Sequence, residues 1–382
     1  MKSLSRLLVG LGAAAVTSAV FAGPASASVV PSHHQNVSSP VFVQNDATDG
    51  NTVYVYDRAQ DGTLSEAGHY ATGGRGGALP DSVVDHLAGQ GSLSYDSDHH
   101  RLYAVNAGSN TLTEFAVSGD RLQRLDVVDT HGQFPLSVTS HGAYVFVLNG
   151  LGGGSIEGYL NLAGRLIPIS HRELGLATTP PAGAPRFLTA PGQITFSPDG
   201  QRILVTTKVN GTIEVFRVGP FAQLSRPVIT PDATGAVNNV PFDVSFDQTG
   251  AVNVAEAGAN TVARFRLNRD DSLTLVSRIA TGQQATCWIV TGPDALYASN
   301  AGSATISSVA VSRHGELKYA GTTTTDGGTT DATVTSDGHN LYVQTGAKGV
   351  VDEFSINRDG SLTQIGSVTV PNAIGAEGIA SA

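Results

Sequence analysis

The sequence is short of the residues that staple, charge or coil a chain. Its 382 residues include one cysteine, one methionine and one tryptophan, and only 14% are charged. A single thiol, Cys287, forbids an intramolecular disulfide, so stability must come from a packed core. In ATCW (285–288) that thiol has no basic neighbour and reads as buried and inert rather than nucleophilic. Basic residues are scarce too, 22 against 32 acidic. The imbalance disfavours nucleic acid and anionic membrane as partners. Apolar stripes of helical period are absent, which excludes helical repeats. Past the N-terminus no apolar run approaches membrane-spanning length, so a membrane anchor is not expected.

What is abundant is glycine, 45 residues, mixed with Thr, Ser and Val, a blend suited to short strands and tight turns. At the N-terminus Lys2 and Arg6 precede an apolar stretch from Leu7 to Ala22 and then Ala25-Ser26-Ala27. That is the pattern of a secretory signal cut after Ala27, and it predicts a secreted, extracellular protein.

One short phrase recurs along the rest of the chain. VNAGSNTLTEF (105–115) returns as VAEAGANTVARF (254–265), SNAGSATISSV (299–309) and TTKVNGTIEVF (206–216), with fainter copies elsewhere. The copies recur about every 45 residues, a period typical of propellers and solenoids. Each unit holds four β-patterned runs separated by turn residues such as SPDG (197–200), which predicts a four-stranded antiparallel blade. The chain starts on a second-strand pattern, VFVQND (41–46), and ends on a first-strand pattern, AEGIASA (376–382). Pairing them gives an all-β, seven-bladed β-propeller closed by its N- and C-terminal strands. Residues 1–27 are then the signal peptide, 28–40 a disordered tail and 41–382 one propeller.

In such a ring the repeated phrase is the turn between second and third strands, on the same face as the blade-to-blade crossings. Three crossings are long: 73–91, 177–192 and 232–242. Long loops on one face of a rigid ring are the expected place for a ligand. Five residues before the Thr that opens the third strand stand Asn106, Asn300, Thr207 and Glu256, with Asn149 reaching the same place through one insertion. Lys208 would neighbour Glu256 from the preceding blade. Two readings stand: the amides cap their own turns while Glu256 and Lys208 form a rim ion pair, or the set contacts a small ligand. Asp243, Asp331 and Glu377 open inner strands on the same face and could add acid groups. No His or Cys set has metal-ligand spacing, DATDGNT (46–52) lacks the spacing of a calcium loop, and no cofactor motif survives its context test.

Four stretches carry a resemblance: ITFSPDGQRILVT (194–206), VYVYDRAQDGTLSEAGHY (53–70), NVPFDVSFDQTGAVNVAEAGANTV (239–262) and FSINRDGSLTQIG (354–366). With them the chain resembles the seven-bladed lactonase family, which includes 6-phosphogluconolactonase and 3-carboxymuconate lactonising enzymes. The resemblance implies a lactone hydrolase and carries over one catalytic residue, Glu256, matched with a one-residue gap to the family's Asn-Glu-Leu turn, as base; in that reading the neighbouring Lys208 would be a catalytic donor. Asn106, Asn149, Thr207, Asn300, Asp243 and Asp331 would bind substrate. The family's His-x-His pair is replaced by Ala190-Pro191-Gly192-Gln193 and its Pro-Arg-His by Pro241-Phe242-Asp243. Those departures admit a substitute constellation that includes Arg186. They equally admit a non-catalytic propeller that binds a small molecule or a protein.

Overall fold

A computed structural model of the chain describes residues 38–231 and 239–382. The signal segment and residues 28–37 of the expected tail lie outside the described residues. The strand expected to start at residue 41 begins at Ser38.

Seven four-stranded antiparallel sheets follow one another round a ring, with two short 3-10 turns among the described residues. Blade 1 joins Ser38–Gln44, Thr52–Arg58 and Leu64–Ala71 to the last strand of the chain, Ile379–Ser381. The closing pairs are Val41 with Ser381, Phe42 with Ala380 and Val43 with Ile379. Blades 2 to 7 take their strands in sequence, opening at Leu93, Gln133, Pro191, Pro241, Thr286 and Thr329. The predicted closure is therefore observed.

The core lies mostly between blades. Phe42, Val53 and Val55 of blade 1 pack on Leu102, Ala104 and Phe115 of blade 2, and Val244, Val254 and Phe265 of blade 5 pack on Leu204 and Val215 of blade 4. β-Branched and aromatic side chains alternate along these strands because both faces of each sheet are covered by a neighbour. The turns from second to third strand put Asn110, Gly154, Gly211, Asn260, Ala304 and Gly349 at φ between 52° and 73°. That conformation favours Gly and Asn, which is why the phrase repeats.

A second, unforeseen repeat stitches the inner strands together. In blades 3 to 7 each inner strand carries a register shift near its start, at Pro135/Ser137, Pro191/Ile194, Pro241/Asp243, Thr286/Trp288 and Thr329/Asp331. Bulges of this kind re-aim a side chain. Here Ser137 Oγ accepts from the Ile194 amide (3.1 Å), Gln193 Oε1 from Val244 (2.7 Å), Asp243 Oδ2 from Ile289 (2.6 Å) and Asp331 Oδ2 from Ile379 (3.0 Å). Each acceptor thus binds an inner-strand amide of the next blade around the channel.

Candidate functional site at the channel mouth

The structure places Asn106, Asn149, Thr207, Glu256 and Asn300 at one equivalent ring position, as the spacing predicts. Each pairs across the turn with Thr111, Ser155, Thr212, Thr261 or Thr305. Their chemistry is spent there. Asn106 is fully buried, accepts from Asn51 Nδ2 (3.0 Å) and Thr72 Oγ1 (2.6 Å), and donates to Thr111 (3.1 Å) and Thr113 (2.9 Å). Asn300 accepts from Thr286 Oγ1 (2.7 Å) and donates to Ser307 Oγ (2.9 Å) and to Thr305. Asn149 donates to Thr130 O (3.1 Å) and Ser155 Oγ (3.2 Å), and the Thr207 hydroxyl meets that of Thr212 at 2.6 Å. These bonds favour the capping reading for the four over the expected substrate-binding one, with the Asn149 Oδ1 alone among the three amide oxygens left without a partner among the described residues.

Asp243 and Asp331 are likewise buried stitches rather than open acids, and Asp331 also accepts from Gln90 Nε2 at 2.8 Å. The partner expected for Glu256 is also corrected. Its two oxygens are gripped by Arg278 of the outer strand, Nε to Oε2 at 2.8 Å and Nη2 to Oε1 at 2.7 Å, with Thr261 Oγ1 as a further donor. Lys208 instead donates to the Ala88 carbonyl, beside the Phe242 ring at 5.1 Å and the Phe187 ring at 5.8 Å. Burial pushes its ammonium down to about 7. A carboxylate forked by a guanidinium is a fixed anion and a poor proton acceptor. Glu256→Gln should therefore cost about 1–3 kcal/mol of stability, somewhat under the usual penalty for breaking a buried pair because Arg278 keeps some solvent, and change turnover less than about threefold. Chemical denaturation beside an activity assay checks this. A loss of activity without a loss of stability would return Glu256 to the role of base.

The crossing 73–91 does more than link blades 1 and 2. It lies over the channel as a plug. Leu79, Leu87 and Ala88 join the core that holds Phe134 and Leu136 of blade 3. The loop then bonds in several directions: His86 N to Gly375 O (2.8 Å), Gln90 N to Gly192 O (3.0 Å), and Gly89 O from Trp288 Nε1 (2.9 Å). Gly91 and Ser92 give their amides to Glu377 Oε1, at 2.8 and 3.2 Å. Val84 O passes so near Gly346 that a Cβ there would stand 1.8 Å away, so only glycine fits. Arg186, weighed as a substitute cation, tethers this plug to the 177–192 crossing through Asp81, Nε to Oδ2 at 3.0 Å.

Beneath and beside the plug lies a set of buried carboxyls. Burial pushes Asp46 and Asp85 up to about 7 and Asp331 to about 6, and raises Asp243 and Glu377 well above the carboxylate range. Burial likewise raises the Cys287 thiol. Among the described residues no three His, Cys, Asp or Glu side chains are arranged to hold a metal ion.

Where the plug meets blades 1 and 7 the face stays open. A cavity of about 380 Å³ is lined by Asp46, Ala47, Thr48, Asp49, His86, Asn372 and Ile374. Asp46 opens the first turn of blade 1 in a left-handed conformation, φ 49°, and its Oδ2 accepts from the Glu377 amide at 2.9 Å. The half-buried His86 ring packs on Gly375, where a Cβ would stand 2.3 Å from Nε2. Burial lowers the imidazole's proton affinity below its ordinary value. Sequence reasoning missed both residues. Asp46 lay in a stretch set aside as a failed calcium loop, and His86 in a crossing with no repeat to compare; the apolar residues inside that crossing were the signal that it docks.

These features define a seven-bladed β-propeller with a plugged mouth and an acid-lined cavity on its loop face. A family model described as lactonase, 7-bladed beta-propeller, matches residues 251–376, the last third of the ring. No curated protein matches the chain. Among solved structures, a candidate 6-phosphogluconolactonase from Bacteroides fragilis is 21% identical, with a TM-score of 0.72 over 90% of this chain and 98% of its own. The periplasmic gluconolactonase of Pseudomonas aeruginosa is 18% identical, with a TM-score of 0.72 over 90% and 98%. A virginiamycin B lyase from Staphylococcus aureus is 13% identical, with a TM-score of 0.51 over 80% and 92%. At these identities the likeness is one of fold.

Proposed function

We propose that the protein hydrolyses uncharged lactones in the cavity between blade 1 and the plug. The observation that carries this reading is the pairing of His86 and Asp46 on one small cavity of a lactonase-type ring. Lactone opening needs a base for water, an acid for the departing alkoxide and donors for the oxyanion. His86 is held neutral by burial and can take a proton from water as the oxygen attacks the carbonyl carbon. Asp46, pushed up to about 7, keeps a proton near neutrality and gives it to the ring oxygen as the acyl–oxygen bond breaks. Proton transfer from His86 back to Asp46 resets the pair, and the product is a hydroxy acid. Burial thus favours the neutral form of both groups, a free imidazole and a protonated carboxyl, which are the forms that a base and an acid need at the same pH. Thr48 and Asn372 supply a hydroxyl and an amide to the oxyanion. No Lys or Arg lines the cavity, which favours a neutral ring over a phosphorylated one.

We also propose that the protein is exported after cleavage at Ala27. Mass spectrometry of culture medium should find a chain beginning near Ser28, and a full-length cytosolic species would overturn this. A binding propeller without turnover is the second reading, favoured by the filling of the channel mouth by residues 79–91. Assaying the purified chain against a panel of neutral lactones separates the two: ring opening supports hydrolysis, and binding without opening supports the alternative.

A further inference from the structure

On the face opposite the plug, the turns of blades 5 and 6 enclose a cleft of about 590 Å³. Its floor holds Arg264, a buried guanidinium already committed to Asp247, to Asn253 Oδ1 (2.9 Å) and to Thr249 Oγ1 (3.2 Å). Above it stand two exposed cations with different circumstances. Arg266 gives only its Nε, to Asn268 Oδ1 at 3.0 Å, leaving both terminal nitrogens free among the described residues. Arg313 has no hydrogen-bond or ion-pair partner among the described residues. The wall between them is apolar, built from Val276, Leu296 and Val311.

We propose that this cleft binds a small amphipathic monoanion, an aliphatic or aromatic carboxylate. Free guanidiniums recognise a carboxylate through paired N–H donors, and the apolar wall covers the body behind it. The volume lies within the usual range for small-molecule sites and exceeds what a bare inorganic anion would fill. In a chain of net charge −10, two arginines with no ion-pair partner among the described residues, facing one cleft, create a local field opposite to that of the surface as a whole. Two carboxylates share the lining, Asp294 and the Asp247 that pairs with Arg264, so dianions gain less there than in a wholly basic pocket. The site stands apart from the proposed lactone cavity, and neither reading depends on the other.

Calorimetric titration of the full chain with sodium octanoate, sodium acetate and 1-octanol tests it. Octanoate should bind about tenfold or more tightly than either partial probe, because only it meets both the guanidiniums and the apolar wall. A double change, Arg266→Ala with Arg313→Ala, should weaken octanoate by about tenfold or more and leave any lactone turnover unchanged. Both side chains are exposed, so the fold should survive. Equal binding of octanoate and octanol, no binding of octanoate, or undiminished binding by the double variant would each overturn the proposal.

Discussion

Replacing His86 by Gln should lower kcat/KM for lactone opening about 10² to 10⁴-fold, the usual weight of a positioned general base. Gln keeps a polar side chain of similar reach on the plug while removing a titratable nitrogen. The ring is only half buried and the loop is anchored by its backbone, His86 N to Gly375 O, so the melting temperature should hardly move. The pH profile adds a readout that a packing role would not give. For the parent protein, kcat/KM should fall on the acid side with a midpoint below the ordinary histidine value, because burial makes the imidazolium harder to form. In the Gln variant the residual rate should lose that limb. Unchanged turnover in a folded His86→Gln protein would sink the role of His86. Absence of turnover in the parent with retained lactone binding would favour the binding propeller.

The ring was legible in the sequence because period and turn chemistry are local. A left-handed residue at Asn110, Gly211 or Asn260 has to be Gly, Asn or a tolerated exception, and its recurrence about every 45 residues marks the blades. The equivalence of Asn106, Asn149, Asn300, Thr207 and Glu256 was legible for the same reason. Their role was not, because a ring position says where a side chain starts and not what lies over it. Asn106 is sealed by Asn51 and Thr72 of the neighbouring blade. Glu256 meets Arg278 across the middle strand of its own blade, a pairing set by strand register rather than by spacing to Lys208. The path of residues 79–91 over the channel was out of reach, since an irregular loop docks by long-range packing, here Leu87 and Ala88 against blade 3. His86 and Asp46 stand 40 positions apart, and only that docking brings them to one cavity.

Thermal stability should rise as the pH is lowered from about 7.5 to about 5. Burial raises Asp46 and Asp85 to about 7 and Asp331 to about 6, with Asp243 and Glu377 higher. The folded protein thus holds protons that the unfolded chain has already released. Stability from such groups is complete below the ordinary carboxylate range and is lost as pH climbs through their folded values. For Asp46 alone, moving a carboxyl from near 4 to about 7 corresponds to on the order of 4 kcal/mol in full, of which roughly 2–3 kcal/mol develops between pH 7.5 and 5. His171, raised by its hydrogen bonds to Glu173 and Glu157, acts in the same direction. His86 and Lys208 oppose it, since burial depresses both and their contributions fade as pH drops. Two opposed groups against five carboxyls leave the acid side favoured. Below about pH 4 the trend should reverse, as Asp337 and Asp247, held below the ordinary range by hydroxyl and arginine hydrogen bonds that outweigh their partial burial, begin to take up protons. Asp46→Asn is the discriminating variant. Asn accepts the left-handed backbone at φ 49° more readily than most residues and cannot titrate, so the protein should fold while its stability changes less with pH. Melting curves at pH 5, 6 and 7.5 and fixed ionic strength measure the slope for both proteins. A parent slope of zero would refute the buried, protonated cluster, and an unaltered slope in the Asn variant would remove Asp46 from it and from the acid role in lactone opening.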